Sequence, residues 1–162
     1  MAELVPFAPR RRDVPGHLRD LAGELARALE PHPAVAVAYL FGSVARGEAR
    51  PGSDLDVGIV FTRRGETARD HLALIGELAA RIEGLGGLRD VDLVVLESQG
   101  PIFCHRVISE GVLVYERDPE RRVDFESDTI VRALDFRPTY ELAARGQVRG
   151  LRRWLRERYD LR

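Results

Sequence analysis

The sequence predicts an α+β domain, a small mixed β-sheet flanked by helices and followed by a helical C-terminal extension. Three observations carry this prediction. Apolar runs suited to strands occupy 34–41, 54–61 and 90–96, stretches of helical periodicity stand between them, and 162 residues with 44% hydrophobic side chains suffice for one core but not for two full-sized lobes. The expected organisation is a leader over 1–14, a core over 15–117 and a helical extension over 118–162.

The elements follow in order. After Pro15, residues Leu18, Leu21, Ala22, Leu25, Ala28 and Leu29 recur at helical spacing, and Pro31 and Pro33 end that helix. The run VAVAYLF is apolar throughout, as expected of a strand buried on both faces. Gly42 and Ser43 close it, and Val44 to Pro51 is too short and polar for more than a turn of helix and a loop. DLDVGIVF, from Asp54, reads as the second strand. Glu66 to Glu83 places Leu72, Ile75, Leu78, Ala79 and Ile82 on one stripe of a helix that the glycines of 84–87 break. DVDLVVL, from Asp90, is the third strand. A helix from Pro101 to Ser109, a turn at Gly111 and a short strand VLVY follow, with two more helices expected beyond Asp118. The last of these carries Ala144, Val148, Leu151, Leu155 and Tyr159 on one side.

Composition narrows the function. Net charge is −1, which gives no global field for nucleic acid. All 25 basic side chains are arginine, so lysine nucleophiles, Schiff bases and P-loop lysines are excluded, and phosphate must be held by Arg, backbone N–H groups or metal. A single cysteine, Cys104, excludes an intramolecular disulfide, and no apolar run reaches membrane-spanning length. These features point to the cytoplasm. His17, His32, His71 and His105 share no metal-ligand spacing, and Cys104 beside Phe103 and Val107 reads as a packed small hydrophobe.

The chemistry concentrates at Asp54 and Asp56. Carboxylates at i and i+2 of a strand share a face, with Cα atoms roughly 6.5–7 Å apart. Like charges that close repel, and a divalent cation is the simplest partner that makes the pair favourable. Leu55 between them points into the core. Holding two metals for in-line phosphoryl displacement requires a third carboxylate, and the third strand supplies Asp92, inside an apolar run where a carboxylate is costly to bury unpartnered. Asp90 shares its face and is the alternative, although it also suits a cap on the preceding glycine loop. Gly42 and Ser43, where a strand meets a short helix, offer backbone N–H groups and a hydroxyl to an anion; Arg46, three residues on, can reach the same phosphates.

The string GSVARGEARPGSDLDVGIV resembles the signature of the DNA polymerase β-like nucleotidyltransferase superfamily: G-S, ten residues, D-x-D, with A-R-G after the serine. The resemblance covers residues 35–96 with Asp92 included. It implies a polymerase β-like core in which Asp54, Asp56 and Asp92 hold two Mg2+ ions while Gly42, Ser43 and Arg46 hold the triphosphate of ATP. The later stretch GVLVYERDPERRVDFESDTIVRALDFRPTYE is similar to the last third of minimal nucleotidyltransferase (MNT) antitoxins that accompany HEPN-domain ribonuclease toxins. That second resemblance implies a protein adenylyltransferase antitoxin that transfers AMP to a tyrosine of its toxin partner. The alternatives are a small-molecule enzyme of the aminoglycoside nucleotidyltransferase type, which normally brings a larger second domain, and a non-catalytic module that neutralises its partner by contact. Arg149, Arg152, Arg153, Trp154 and Arg156 make the tail basic and aromatic, a composition that favours a protein interface.

Overall fold

The computed structural model describes residues 14–85 and 90–136. At its centre each apolar run has become a strand: β1 (Val35–Phe41), β2 (Leu55–Phe61), β3 (Val91–Val95) and β4 (Val112–Glu116). Their spatial order is β3-β2-β1-β4. β1 runs antiparallel to β2 and β4, whereas β2 and β3 are parallel, so the sheet is mixed. The parallel pair requires a crossover, which the helix between those strands provides. The helices are α1 (Arg19–Leu29), α2 (Gly42–Ala45), α3 (Leu72–Ile82), α4 (Pro101–Glu110) and α5 over 119–136. The architecture is the α+β one that the sequence predicts.

Helices cover both faces of the sheet. On one, Leu21, Leu25 and Leu29 of α1 and Leu78 and Ile82 of α3 meet Leu55, Val57, Ile59 and Phe61 of β2. On the other, Cys104 and Val107 of α4 and Phe125 of α5 meet Tyr39, Val60 and Leu96. A β1 sandwiched in this way explains its unbroken apolar run. A register irregularity between Val35 and Val37 turns Ala36 and Val37 both toward the α4–α5 side. Gly58 leaves the room that Leu96 fills, since an added Cβ would lie 2.9 Å from its Cδ2.

α5 is tied down by charge as well as packing. Arg121, Phe125, Thr129 and Ala133, every fourth residue, are buried. The Arg121 Nε donates to the Phe61 carbonyl at 3.0 Å while its other end pairs with Glu97, which itself accepts the Phe61 N–H at 3.0 Å. Arg122 bridges Glu116 at 2.8 Å and Glu126 at 3.0 Å, and Glu126 accepts the Tyr39 hydroxyl at 2.7 Å. Burial and the Glu126 carboxylate push the Tyr39 phenol well above its usual range, so it remains a donor.

Three expectations need correction. The helix after β2 begins at Leu72 rather than Glu66, because the Thr67 N–H and hydroxyl donate to Asp70 at 2.7 and 2.8 Å and fold the preceding residues into turns. Leu72 is therefore 67% exposed, and only Leu78 and Ile82 of the expected stripe are fully buried. Asp54 and Asp90 each stand one residue outside their strands. The second C-terminal helix, the basic tail and the leader up to residue 13 lie outside the described residues, as do residues 86–89. Among the described residues no helix is long and apolar enough to cross a membrane.

Candidate active site

Strand register assembles the acidic residues. Phe41 is opposite Asp56 across the antiparallel pair, and Asp56 is opposite Asp92 across the parallel one, so the three form a row across β1, β2 and β3. Residues paired in register share a face, and alternation puts Asp54 on that face too. It is the face that carries Val60 and Val94, covered further along by α4 and α5. Leu55 points the opposite way and is fully buried, as its place between the two acids requires.

The three carboxylates differ in environment. Asp56 is half-buried, and its pKa is raised, first by burial and then by the negative charges of Asp92 and Asp54, with Arg46 partly offsetting them. Asp54 and Asp92 are exposed. The expectation that Asp92 would be a buried carboxylate is thus incorrect: β3 is an edge strand, and Asp92 on it is exposed. Asp90 is also exposed, and its carbonyl accepts the Leu55 N–H at 2.8 Å, so its backbone helps hold the start of β2 beside β3.

Gly42 follows β1 at φ +71°, and a Cβ placed there would collide with the Asp56 carboxylate. The glycine therefore both makes the turn into α2 and lets the backbone lie against the acid. Ser43 is half-buried in the first turn of α2, whose first N–H groups have no intrahelical acceptor. Arg46 follows at the helix end and is held by Glu48 at 2.8 Å, in the same field as Asp56 and Glu110. Gly47, at φ +72°, completes the turn out.

Beside Gly42 lies a cavity of about 190 Å³, lined by Phe41, Gly42 and Arg46 on one side and by Phe103, Arg106, Val107 and Glu110 of α4 on the other. Phe41 and Phe103 meet edge to face, with ring centroids 5.7 Å apart. Sequence reasoning read Cys104 on this helix as a packed small hydrophobe and drew nothing from Arg106 or Glu110. Only the crossover that lays α4 over the end of β1 brings these residues to the site, and no local pattern encodes it.

The donor set has the chemistry of a divalent-metal site. Hard carboxylate oxygens on one face, one of them desolvated and repelled by the others, suit a small divalent cation. As they stand they do not close on a point: among the described residues no three His, Cys, Asp or Glu side chains are grouped to hold an ion. Like charges splay apart, and the exposed side chains of Asp54 and Asp92 can turn inward at little cost.

Residues 23–120 match the family model described as polymerase beta, nucleotidyltransferase. The chain belongs to this family. The match brackets every residue of the acidic face and both sides of the cavity. Among curated relatives of this nucleotidyltransferase, the protein adenylyltransferase MntA of Shewanella oneidensis is 30% identical over 82 residues. That alignment covers 49% of the present chain, which spans only about half (52%) of the relative's length. Among solved structures, a toxin–antitoxin crystal structure with AMP-PNP superposes with a TM-score of 0.62 at 21% identity, over 78% of this chain and 98% of that one. The complex of a tri-AMPylated Shewanella oneidensis HEPN toxin with its MNT antitoxin gives 0.57 at 20% identity, over 78% and 95% of the two chains. At those identities the superpositions establish the shared fold.

Proposed function

We propose that this nucleotidyltransferase is a magnesium-dependent protein adenylyltransferase, an antitoxin that works in the cytoplasm by transferring AMP from ATP to a tyrosine of a HEPN-domain toxin. The observation that carries the reading is the acidic face itself: Asp56 in register with Asp92, Asp54 alongside, and Gly42 pressed against Asp56. The adenylyltransferase activity named for the curated relative, and the AMP-PNP and AMPylated toxin named in the superposed complexes, support the choice of nucleotide and acceptor.

Asp54, Asp56 and Asp92 would hold the magnesium ions. When bound, these ions supply positive charge at the reacting phosphate and lower the pKa of the attacking hydroxyl. Gly42 and Ser43 bind the triphosphate through backbone N–H groups and the hydroxyl, and Arg46 adds a charge-assisted donor. Asp92, on the open edge strand, faces the acceptor and helps take its proton. The acceptor oxygen bonds to the α-phosphorus, the bond from that phosphorus to the β-bridging oxygen breaks, and the electron pair leaves with pyrophosphate.

An acceptor carried by a protein suits the exposure of this edge, because the partner supplies the missing wall. The outer face of α5 supports such docking. Val123, Val131 and Leu134, exposed by 49%, 58% and 59%, fall within about 80° of one another around the helix axis. Incubating the full chain with its HEPN-type partner, magnesium and ATP should add whole AMP units to the partner's intact mass. Asp54→Ala should abolish the addition without preventing complex formation. An unmodified partner, alongside nucleotidylation of an aminoglycoside or nucleic acid, would refute the assignment of acceptor.

A further inference from the structure

The cavity beside Gly42 has a second cationic wall that the reading above does not use. Arg46 enters it from the end of α2, and Arg106 faces it from α4. Each guanidinium is held through its Nε alone by a nearby carboxylate, Arg46 by Glu48 at 2.8 Å and Arg106 by Glu110 at 3.1 Å. Their terminal nitrogens make no hydrogen bond within the described residues. Arg122 is the contrast: it uses two nitrogens on two acids and is spent on structure. The two forks stand beside the backbone that touches Asp56, next to the acidic face formed with Asp54 and Asp92. A polyanion brought to that face needs cations on its far side, and without lysine only arginine can provide them.

We propose that Arg106 is a phosphate-binding residue that, with Arg46, clamps the β- and γ-phosphates of the nucleotide and takes up the charge that develops on pyrophosphate as it leaves. Glu110 aims Arg106 by its Nε and competes weakly with the incoming anion. The alternative is an ordinary solvated i,i+4 pair on α4, of little worth and indifferent to ligands. The chemistry balances as in the transfer above: the pair of electrons released from the α-phosphorus ends on the pyrophosphate oxygen, where a guanidinium fork can donate two hydrogen bonds.

The inference rests on the nucleotidyl-transfer reading, and the ligands in its test separate the two. Isothermal titration of the full chain with magnesium-ATP, magnesium-pyrophosphate and AMP is compared among the wild type, Arg106→Gln and Glu110→Gln. Arg106→Gln should weaken ATP and pyrophosphate by about tenfold or more, the worth of a charge-assisted hydrogen bond, and change AMP by less than about twofold. Glu110→Gln removes a competing negative charge and should tighten pyrophosphate. Arg106 is exposed, so both variants should melt within a few degrees of the wild type. Unchanged ATP and pyrophosphate binding in Arg106→Gln overturns the proposal while leaving nucleotidyl transfer intact. Equal loss of AMP overturns it too, since the residue would then serve the nucleoside or the fold. A wild type that binds none of the three overturns this inference together with the reading beneath it.

Discussion

Replacing Gly42 by alanine tests how the fold positions its acid. The position has φ +71°, where a side chain costs about 1–2 kcal/mol, and the added methyl would overlap the Asp56 carboxylate, a packing conflict of about 1–3 kcal/mol. The sum is a loss of about 2–5 kcal/mol. Gly65→Ala is the matched control: its φ is +82°, but nothing lies within 4 Å of the added Cβ, so it should lose only the backbone part. Urea unfolding of both variants gives the difference. Removing the obstacle with Asp56→Ala should shrink the Gly42→Ala penalty by about 1–3 kcal/mol, a coupling that a double-mutant cycle reads directly. Because the methyl must displace the carboxylate by the order of an ångström, AMP transfer by Gly42→Ala should also fall by about a hundredfold. Equal losses in Gly42→Ala and Gly65→Ala, with transfer retained, would refute the contact between Gly42 and Asp56 as the device that sets the site.

Asp56→Asn should stabilise the metal-free protein while abolishing activity, because the native carboxylate is partly buried and held among like charges. The sign follows from its raised pKa. Ionised Asp56 subtracts nothing below its unfolded pKa and its full cost above its folded one, so the stabilisation should fade as pH drops through that window, as melting curves across pH will show. Arg121→Met should cost about 3–5 kcal/mol in urea by stranding the buried Glu97, and adding Glu97→Leu should recover only part of it, because the Phe61 N–H and carbonyl lose their partners; a loss below about 1 kcal/mol would mean that the pair is not desolvated. Burial pushes the Cys104 thiol up to about 11, and it donates to the Leu96 carbonyl at 3.1 Å. A disulfide reagent at neutral pH should therefore label it only as the chain unfolds, and rapid labelling of native protein would contradict that placement.

The sheet was legible because its strands read as apolar runs, most completely in β1, which is buried on both faces, and all four runs became strands within a residue or two of the expected ends. The spacing of Asp54 and Asp56 was equally legible, since period-two alternation follows from strand geometry alone. Two kinds of information were not. Local side-chain hydrogen bonds, such as Thr67 to Asp70, override a helical apolar stripe and delay α3 by six residues, from Glu66 to Leu72. Long-range placement also escapes the sequence. The apolar letters around Asp92 suggested burial, but β3 lies at the sheet edge and its acid is exposed; Arg106 drew no notice because only the path of α4 carries it to Gly42. Gly42 and Ser43 were legible as the close of the first strand, whereas the positive φ at Gly42 and its contact with Asp56, which depends on register between β1 and β2, were not.

In the proposed reaction the face formed by Asp54, Asp56 and Asp92 directs attack at the α-phosphorus of ATP by a protein hydroxyl. Parallel reactions of the full chain and its HEPN-type partner with α-labelled and γ-labelled ATP measure this directly. The α label alone should stay on the partner, the γ label should leave in pyrophosphate in equal amount, and Asp56→Asn should stop both. Retention of the γ label on the partner, or undiminished α labelling by Asp56→Asn, would contradict it.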